Sequence, residues 1–274
     1  ADALTSQILT MISLNGGTLI LSFFKASMEE ISVYTTYNLV LSGLFMLMYS
    51  VENSMTSAFG DLLARYTGDK IRAVYEKFDS IYHMLWTVII SCLGVLLLPF
   101  IRVYTIGVTD IEYILPVEGM LFTMIAAVWM LRNQQTLLMT AQGRFKDMRT
   151  CMMIEASIVA GIGALGYLSY GLKGMLIAKL AGTLYMCGRL MVYNYRNILH
   201  MSMTRKFQNV LLSLATILCT SILMRYVPID GFANFADWMF KACCTFIISL
   251  IMTLVAWSIF RKGDMSVIAN KMNK

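Results

Sequence analysis

The sequence predicts an all-α, polytopic integral membrane helical bundle with about eight transmembrane helices. Of its 274 residues, 58% are apolar and only 14% are charged, against roughly 25% charged in an ordinary soluble domain. Eight apolar runs of about 20 residues are each long enough to cross the ~30 Å hydrocarbon layer as a helix. They lie near residues 4–24, 33–56, 80–101, 113–140, 150–170, 174–196, 208–226 and 238–260.

The basic residues alternate between the two sides of these runs. Fourteen of the 22 Lys and Arg residues follow the even-numbered runs: Arg65, Lys70, Arg72, Lys77, Arg144, Lys146, Arg149, Arg196, Arg205, Lys206, Arg261, Lys262, Lys271 and Lys274. Basic loops stay in the cytoplasm, so both termini are predicted to be cytoplasmic. Cations at helix ends suit anionic membrane lipids. Nucleic acid is therefore not expected as a partner, despite the net charge of +6.

The gaps between runs indicate how neighbouring helices are joined. The connections at 25–31 and 170–174 are short, which predicts antiparallel hairpins. Runs five and six are rich in Gly and Ala, and small residues allow helices to pack closely in lipid. The longest gap, residues 57–79, has amphipathic spacing and is predicted to lie in the headgroup plane.

Polar side chains recur at helical spacing inside three runs, and a charge at bilayer depth must face a partner or a wet cavity. The candidates are Tyr34, Asn38, Tyr49, Glu52 and Asn53 in run two, Trp129, Arg132 and Gln135 in run four, and Lys179 and Arg189 in run six. One interpretation is a hydrated cavity in which Arg132, Lys179 and Arg189 attract an anionic group. The other is structural: Glu52 pairs with Arg132, and the amides bond to neighbouring helices.

Motifs for catalysis or metal binding do not occur in the sequence. It contains no HExxH, P-loop or nucleophile elbow, and its two histidines, His83 and His200, are far apart. The six cysteines have no metal-ligand spacing and are interpreted as small apolar packing residues. We therefore expect neither an enzyme nor a resident cofactor or metal.

Several short segments, taken in order, resemble the polysaccharide flippases (Wzx-like proteins) of the multidrug/oligosaccharidyl-lipid/polysaccharide exporter superfamily. They are ISVYTTYN at 31–38, SAFGDLLA at 57–64, LPFIRVY at 98–104, DIEYILP at 110–116, AQGRFK at 141–146, IEA at 154–156 and YGLKGMLIA at 170–178. Members of that family have two six-helix lobes, some with an extra helix pair. The resemblance implies that 1–200 is the second lobe, 201–260 the additional pair and 261–274 a cytoplasmic tail. A chain beginning Ala-Asp-Ala is then expected to be part of a longer protein whose first lobe is its partner.

The resemblance also implies a function. The family moves polyprenyl-pyrophosphate-linked oligosaccharide across the inner (plasma) membrane, for polysaccharide or lipopolysaccharide biosynthesis, by alternating access without ATP hydrolysis. Arg132, Lys179 and Arg189 would then form a cationic wall for the pyrophosphate. The polar wall for the glycan would be Tyr34, Asn38, Tyr49, Asn53, Trp129 and Gln135, and Glu52 would be an ion-coupling site.

Three alternatives remain open at the level of sequence. A multidrug or cation antiporter of the same superfamily would favour an acidic, aromatic pocket. The chain can also be a non-transporting fragment. An integral-membrane glycosyl- or acyltransferase is less expected, because it needs an acid/base or metal constellation near an interface.

The orientation can be tested with reporter fusions. Green fluorescent protein fused after Arg72 or after Arg144 should fluoresce, and alkaline phosphatase at these points should be inactive, because both positions are predicted to be cytoplasmic. Phosphatase fused after Gly107 should be active. Reporters that place 72 and 144 on opposite sides of the membrane would contradict the predicted topology.

Overall fold

Most of the chain is helical over the residues described by the computed structural model, which are 2–66, 68–109, 111–226 and 234–260, without the side chains of 2–7, 10 and 14. The helices are α1 (Asp2–Phe23), α2 (Met28–Arg65), α3 (Asp69–Tyr104), α4 (Pro116–Ala141), α5 (Phe145–Ser157), α6 (Gly163–Tyr193), α7 (Thr204–Arg225) and α8 (Phe235–Phe260). Two π-helical turns, Ile158–Ile162 and Asn194–Ile198, follow α5 and α6. Every predicted run is helical, which confirms the all-α class. The predicted tail, 261–274, lies outside the described residues.

Five helical segments in the described part of the chain are long and apolar enough to cross a membrane. They are Met28–Arg65, Asp69–Tyr104, Phe145–Ile198, Thr204–Arg225 and Phe235–Phe260. Helix α4 has 26 residues but is not among them, because the polar sequence RNQQ at 132–135 interrupts its apolar run. These segments are typical of a multi-pass helical membrane protein. The number of eight crossings stays a prediction.

Helix α2 is a single rod of 38 residues. Its N-terminus is capped by Ser27, whose Oγ accepts a hydrogen bond from the Glu30 backbone N–H at 3.2 Å, and acidic residues in the first turn suit the helix dipole. It continues without a break to Arg65. The predicted headgroup segment at 57–79 is therefore not a separate helix. Its first part extends α2 and its last part begins α3, since the sequence has no helix breaker before Tyr66.

The predicted hairpin at 170–174 is confirmed. Gly171 interrupts α6 with φ 60° and ψ −143°, a conformation open mainly to glycine. A Cβ added at Gly174 would overlap the backbone of Gly166. Further along, a Cβ at Gly182 would lie 3.3 Å from the Glu155 carbonyl oxygen. The two members of each pair lie on opposite sides of Gly171 in the sequence. The helical segments before and after Gly171 are therefore antiparallel and pack backbone to backbone, as the small residues predicted.

The chain divides into two compact units. One contains α1, α2, α4, α5 and α6, and the other contains α3, α7 and α8. In the second unit α3 packs on α7 and α8, and the predicted boundary at residue 200 stays a prediction. In the second unit, Asp79 and His83 of α3 lie beside Lys206 and Ser213 of α7, respectively. Helices α3 and α7 therefore run parallel.

The hairpin contact can be tested with two matched substitutions. Gly174→Ala should lower the free energy of unfolding by about 1–3 kcal/mol, because overpacking forces the two backbones apart. Gly188→Ala lies in the same helix with open space around it and should be stabilising by up to about 1 kcal/mol. Unfolding of the purified protein in detergent measures both values. Equal stability of the two variants would contradict the close backbone contact.

Candidate functional site

A buried ion pair joins α4 to α5 in the first unit. Arg132 Nη2 lies 3.1 Å from Glu155 Oε2, and the two side chains are only 3% and 1% exposed. Isolated charges are costly to bury, so a buried charge needs a partner. Glu155 therefore determines where Arg132 can lie.

Lys179 of α6 adds a second cation to this cluster. It is 7% exposed, and its charge acts on Glu155 together with Arg132 and the hydroxyl of Ser13. Arg132 contacts the carboxylate directly, Lys179 acts on it through its charge, and the cluster of Arg132, Glu155 and Lys179 carries a formal charge of +1. We call these three residues the cationic cluster. Sequence analysis identified both cations but missed Glu155, although it is the one carboxylate within the fifth apolar run.

Amide side chains surround the cationic cluster on α4. Asn194 Nδ2 donates to the backbone oxygen of Gln135 at 2.9 Å and to its Oε1 at 3.1 Å. Gln134 and Gln135 are fully buried. Asn133 Nδ2 donates to Glu52 Oε2 at 2.8 Å. The amides thus bond to groups on neighbouring segments, Arg132 pairs with Glu155, and Glu52 accepts from Asn133.

The aromatic candidates are packed inside the first unit. The Trp129 ring stacks on Phe45 with 3.9 Å between centroids. Tyr34 is fully buried, lies 5.7 Å from the Phe122 ring and occupies the space above Gly17 of α1. Its hydroxyl has no hydrogen-bond partner among the described residues. Both rings are therefore part of the core rather than of an open cavity surface.

The remaining candidates on α2 lie at the edge of its buried face. Asn38 is half-buried, whereas Tyr49 and Asn53 are exposed. At about 100° per residue, the buried residues of α2 centre roughly 75° away from the predicted polar stripe. Tyr34 and Glu52 belong both to the polar stripe and to the buried face. Asn38, Tyr49 and Asn53 belong to the stripe alone and lie away from the centre of the buried face. Arg189 of α6 is also exposed, so the structure does not bring it into the cationic cluster.

An acidic cavity of about 360 Å³ lies elsewhere in the first unit. Glu29, Glu30, Glu112 and Glu118 line it, together with Lys173. Lys173 Nζ is 3.8 Å from Glu118 Oε1. An anion entering this cavity would be repelled, so the cavity and the cationic cluster suit ligands of opposite charge.

The second unit contains a buried ion pair that sequence analysis missed. Lys206 Nζ donates to Asp79 Oδ1 at 2.5 Å, and Asn209 Nδ2 donates to Oδ2 at 2.9 Å. His83 Nε2 lies 4.0 Å from the same carboxylate, and all four residues are at most 3% exposed. The sequence contains a signal for this pair. Polar residues are four apart on α3 (Asp79 and His83) and three apart on α7 (Lys206 and Asn209), which places them on one face of each helix.

No group of three His, Cys, Asp or Glu side chains in the described part of the chain could hold a metal ion. The apolar helices are typical of a multi-pass helical membrane protein, and each of the two units buries an ion pair. No protein-family model, curated protein or solved structure matches the chain.

The charge balance of the cationic cluster leads to a stability prediction. Glu155→Gln should cost about 3–5 kcal/mol, because it leaves the buried Arg132 without its ion-pair partner and removes the one negative charge of the cluster. Arg132→Gln should cost less, about 1.5–3 kcal/mol for a charged hydrogen bond, since Lys179 still balances Glu155. Lys173→Gln, at a side chain that is 53% exposed, is the matched control and should change little.

Unfolding of each purified variant in mixed micelles gives these free energies. If Arg132→Gln were as destabilising as Glu155→Gln, the interaction of Lys179 with the carboxylate would be ruled out.

Proposed function

We propose that this chain transports lipid-linked oligosaccharide across the membrane, as part of a flippase for polysaccharide or lipopolysaccharide biosynthesis. The observation that carries the proposal is the net positive, buried cationic cluster within a bundle of membrane-type helices. Ionisable residues at membrane depth are costly, and they commonly mark the path of a substrate or an ion.

The chemistry of the cationic cluster suits a pyrophosphate. A guanidinium forms paired hydrogen bonds to phosphate oxygens, and an ammonium adds a point charge. In the structure, the guanidinium of Arg132 is paired with the Glu155 carboxylate. An incoming pyrophosphate would replace this carboxylate at the guanidinium. The buried pair therefore corresponds to an occluded state, which must open before substrate can enter.

The amide groups beside the cluster suit a glycan. Gln134, Gln135 and Asn133 lie next to Arg132 along α4 and provide both donors and acceptors for hydroxyl groups. Trp129 provides an aromatic face, at present covered by Phe45, which a sugar ring would have to displace. The exposed polar residues Tyr49, Asn53 and Arg189 would face a companion lobe across the substrate path.

The proposal also specifies what drives transport and in which membrane the chain lies. The sequence contains no P-loop, so an ion gradient or the substrate gradient would drive transport. Glu52 is the proposed ion-coupling group, and the chain would lie in the inner (plasma) membrane with both termini cytoplasmic. Its partners would be membrane lipids, the polyprenyl-pyrophosphate-linked oligosaccharide and the companion lobe.

A second candidate, a cation antiporter, is favoured by one observation. The acidic cavity carries four glutamates and one lysine, which would attract a cationic solute. In this case the cationic cluster would serve to hold α4, α5 and α6 together.

Binding by the purified protein distinguishes the two candidates. Fluorescent undecaprenyl-pyrophosphate-linked oligosaccharide should bind to the wild-type protein, and Arg132→Gln should weaken binding about tenfold or more, as expected for a lost charged hydrogen bond. Arg132→Lys keeps the charge and should weaken binding less. Lys173→Gln should not weaken it.

Flipping is then measured in proteoliposomes, as the fraction of labelled lipid that an external reductant quenches. It should slow in parallel with binding. Equal affinity of the Arg132→Gln and wild-type proteins for the labelled lipid would discard the flippase proposal. Binding of a cationic dye that is lost in Glu118→Gln would favour the antiporter.

A further inference from the structure

Small hydroxyl side chains line the interior of the α3–α7–α8 unit. Each is 5% exposed or less: Ser80, Thr87 and Ser91 on α3, Ser213, Thr216 and Thr220 on α7, and Thr245, Ser249 and Thr253 on α8. On each helix they are separated by three, four or seven residues, which places them on one face. We call these nine residues the hydroxyl seam.

The three helices bring the hydroxyl seam together in layers. Cys92 Sγ lies 3.7 Å from Ser249 Oγ, and Trp238 Nε1 donates to the Leu96 oxygen at 3.3 Å. Later positions on α8 thus match earlier positions on α3, and the helices are antiparallel. By this register Trp257 lies near the level of His83, at the end of the seam that holds the Asp79–Lys206 pair.

Many of the hydroxyls bond to their own helix. Thr87, Ser213 and Thr245 each donate to the carbonyl oxygen four residues earlier, at 2.7–2.8 Å. Such side chains are compact, and taken alone they only allow the helices to pack closely. Their presence does not itself indicate a ligand.

Five polar atoms along the same interior, two of them hydroxyls of the seam, are buried without a hydrogen-bond partner among the described residues. They are Ser91 Oγ, Thr253 Oγ1, Trp257 Nε1, His83 Nε2 and Asn209 Oδ1, and all five residues are fully buried. A buried polar group that lacks a partner is costly. Six of the twelve such atoms among the described residues belong to this three-helix unit. Five of these six lie along its hydroxyl-lined interior, where one shared ligand would serve them.

The chemistry of these atoms selects that ligand. The indole N–H of Trp257 can only donate, whereas the amide oxygen of Asn209 can only accept, and the hydroxyls can do either. A metal cation would serve the acceptors alone, and an anion would serve the donors alone. Water serves both, and buried water typically bridges two to four polar groups in this way.

We propose that the hydroxyl seam binds a chain of water molecules that reaches the Asp79–Lys206 ion pair. The buried charged or titratable groups at this end include Asp79 and His83 from α3 and Lys206 from α7, and the half-buried ion pair of Glu76 and Arg205 lies within one turn of them. Over its described residues, α8 brings no charged side chain to this level, since its Asp237 and Lys241 lie at its other end. Water in contact with both ions lowers the cost of separating them, so the pair can open and close within the bundle.

Radiolytic labelling tests the proposal, because hydroxyl radicals formed from bound water label adjacent side chains even when they are buried. The protein in lipid nanodiscs is irradiated in ¹⁸O-water, and oxygen uptake is read by mass spectrometry. Trp257 and Trp86 are matched probes: both are at most 2% exposed and they lie within about one helical turn of the same level. Trp257 should be labelled at least fivefold faster than Trp86. Equal protection of the two indoles would overturn the proposal.

Two variants localise the water. Thr253→Val removes an orphaned hydroxyl one turn from Trp257 and should reduce its labelling about threefold. Thr245→Val removes a hydroxyl that is already bonded to its own helix and should leave the labelling unchanged. An equal effect of the two variants would also contradict the proposal. If Thr253→Val does not fold, the wild-type ratio of Trp257 to Trp86 decides the question. The result is independent of whether the first unit binds a lipid-linked oligosaccharide.

Discussion

The arrangement of this protein depends on the cost of a charge that has left water. Arg132, Glu155 and Lys179 must meet because none of them is stable alone in the interior. This requirement fixes which faces of α4, α5 and α6 are turned toward one another. In the second unit the Asp79–Lys206 pair has the same role, because it sets the parallel register of α3 and α7. Apolar packing brings the helices together, and the charges determine the register in which they do so.

The two units solve the problem of a polar interior in different ways. The first uses formal charges and amides, whose partners come from distant parts of the sequence: Arg132 from α4 meets Glu155 from α5, and Gln135 meets Asn194. The second uses hydroxyls, most of which bond to their own helix. The first arrangement is specific and is disrupted by the loss of one group. The second permits helices to approach closely and leaves a few atoms for water to satisfy.

Much of the fold could be predicted from local patterns. All eight apolar runs are helical, and the reversal at Gly171 follows from two glycines in a short polar gap. The partners of the charges could not be predicted in the same way. Hydrophobic periodicity shows which face of a helix is buried but not which helix covers it. The pairing of Arg132 with Glu155, and of α3 with α7 and α8, is therefore visible only in the structure. On α2 the directions of the polar stripe and of the buried face differ by roughly 75°, so Asn38, Tyr49 and Asn53 were assigned to an interior that they only border.

The length of α2 has a mechanical consequence. At 1.5 Å per residue its 38 residues extend about 57 Å, nearly twice the thickness of the hydrocarbon layer. Such a rod acts as a lever: a pivot of only 10° about one end displaces the other by roughly 10 Å. Tyr34 sits near one end, against Gly17, and Arg65 marks the other. A small rotation of α2 at Tyr34 would therefore produce a large displacement of the helix end at Arg65.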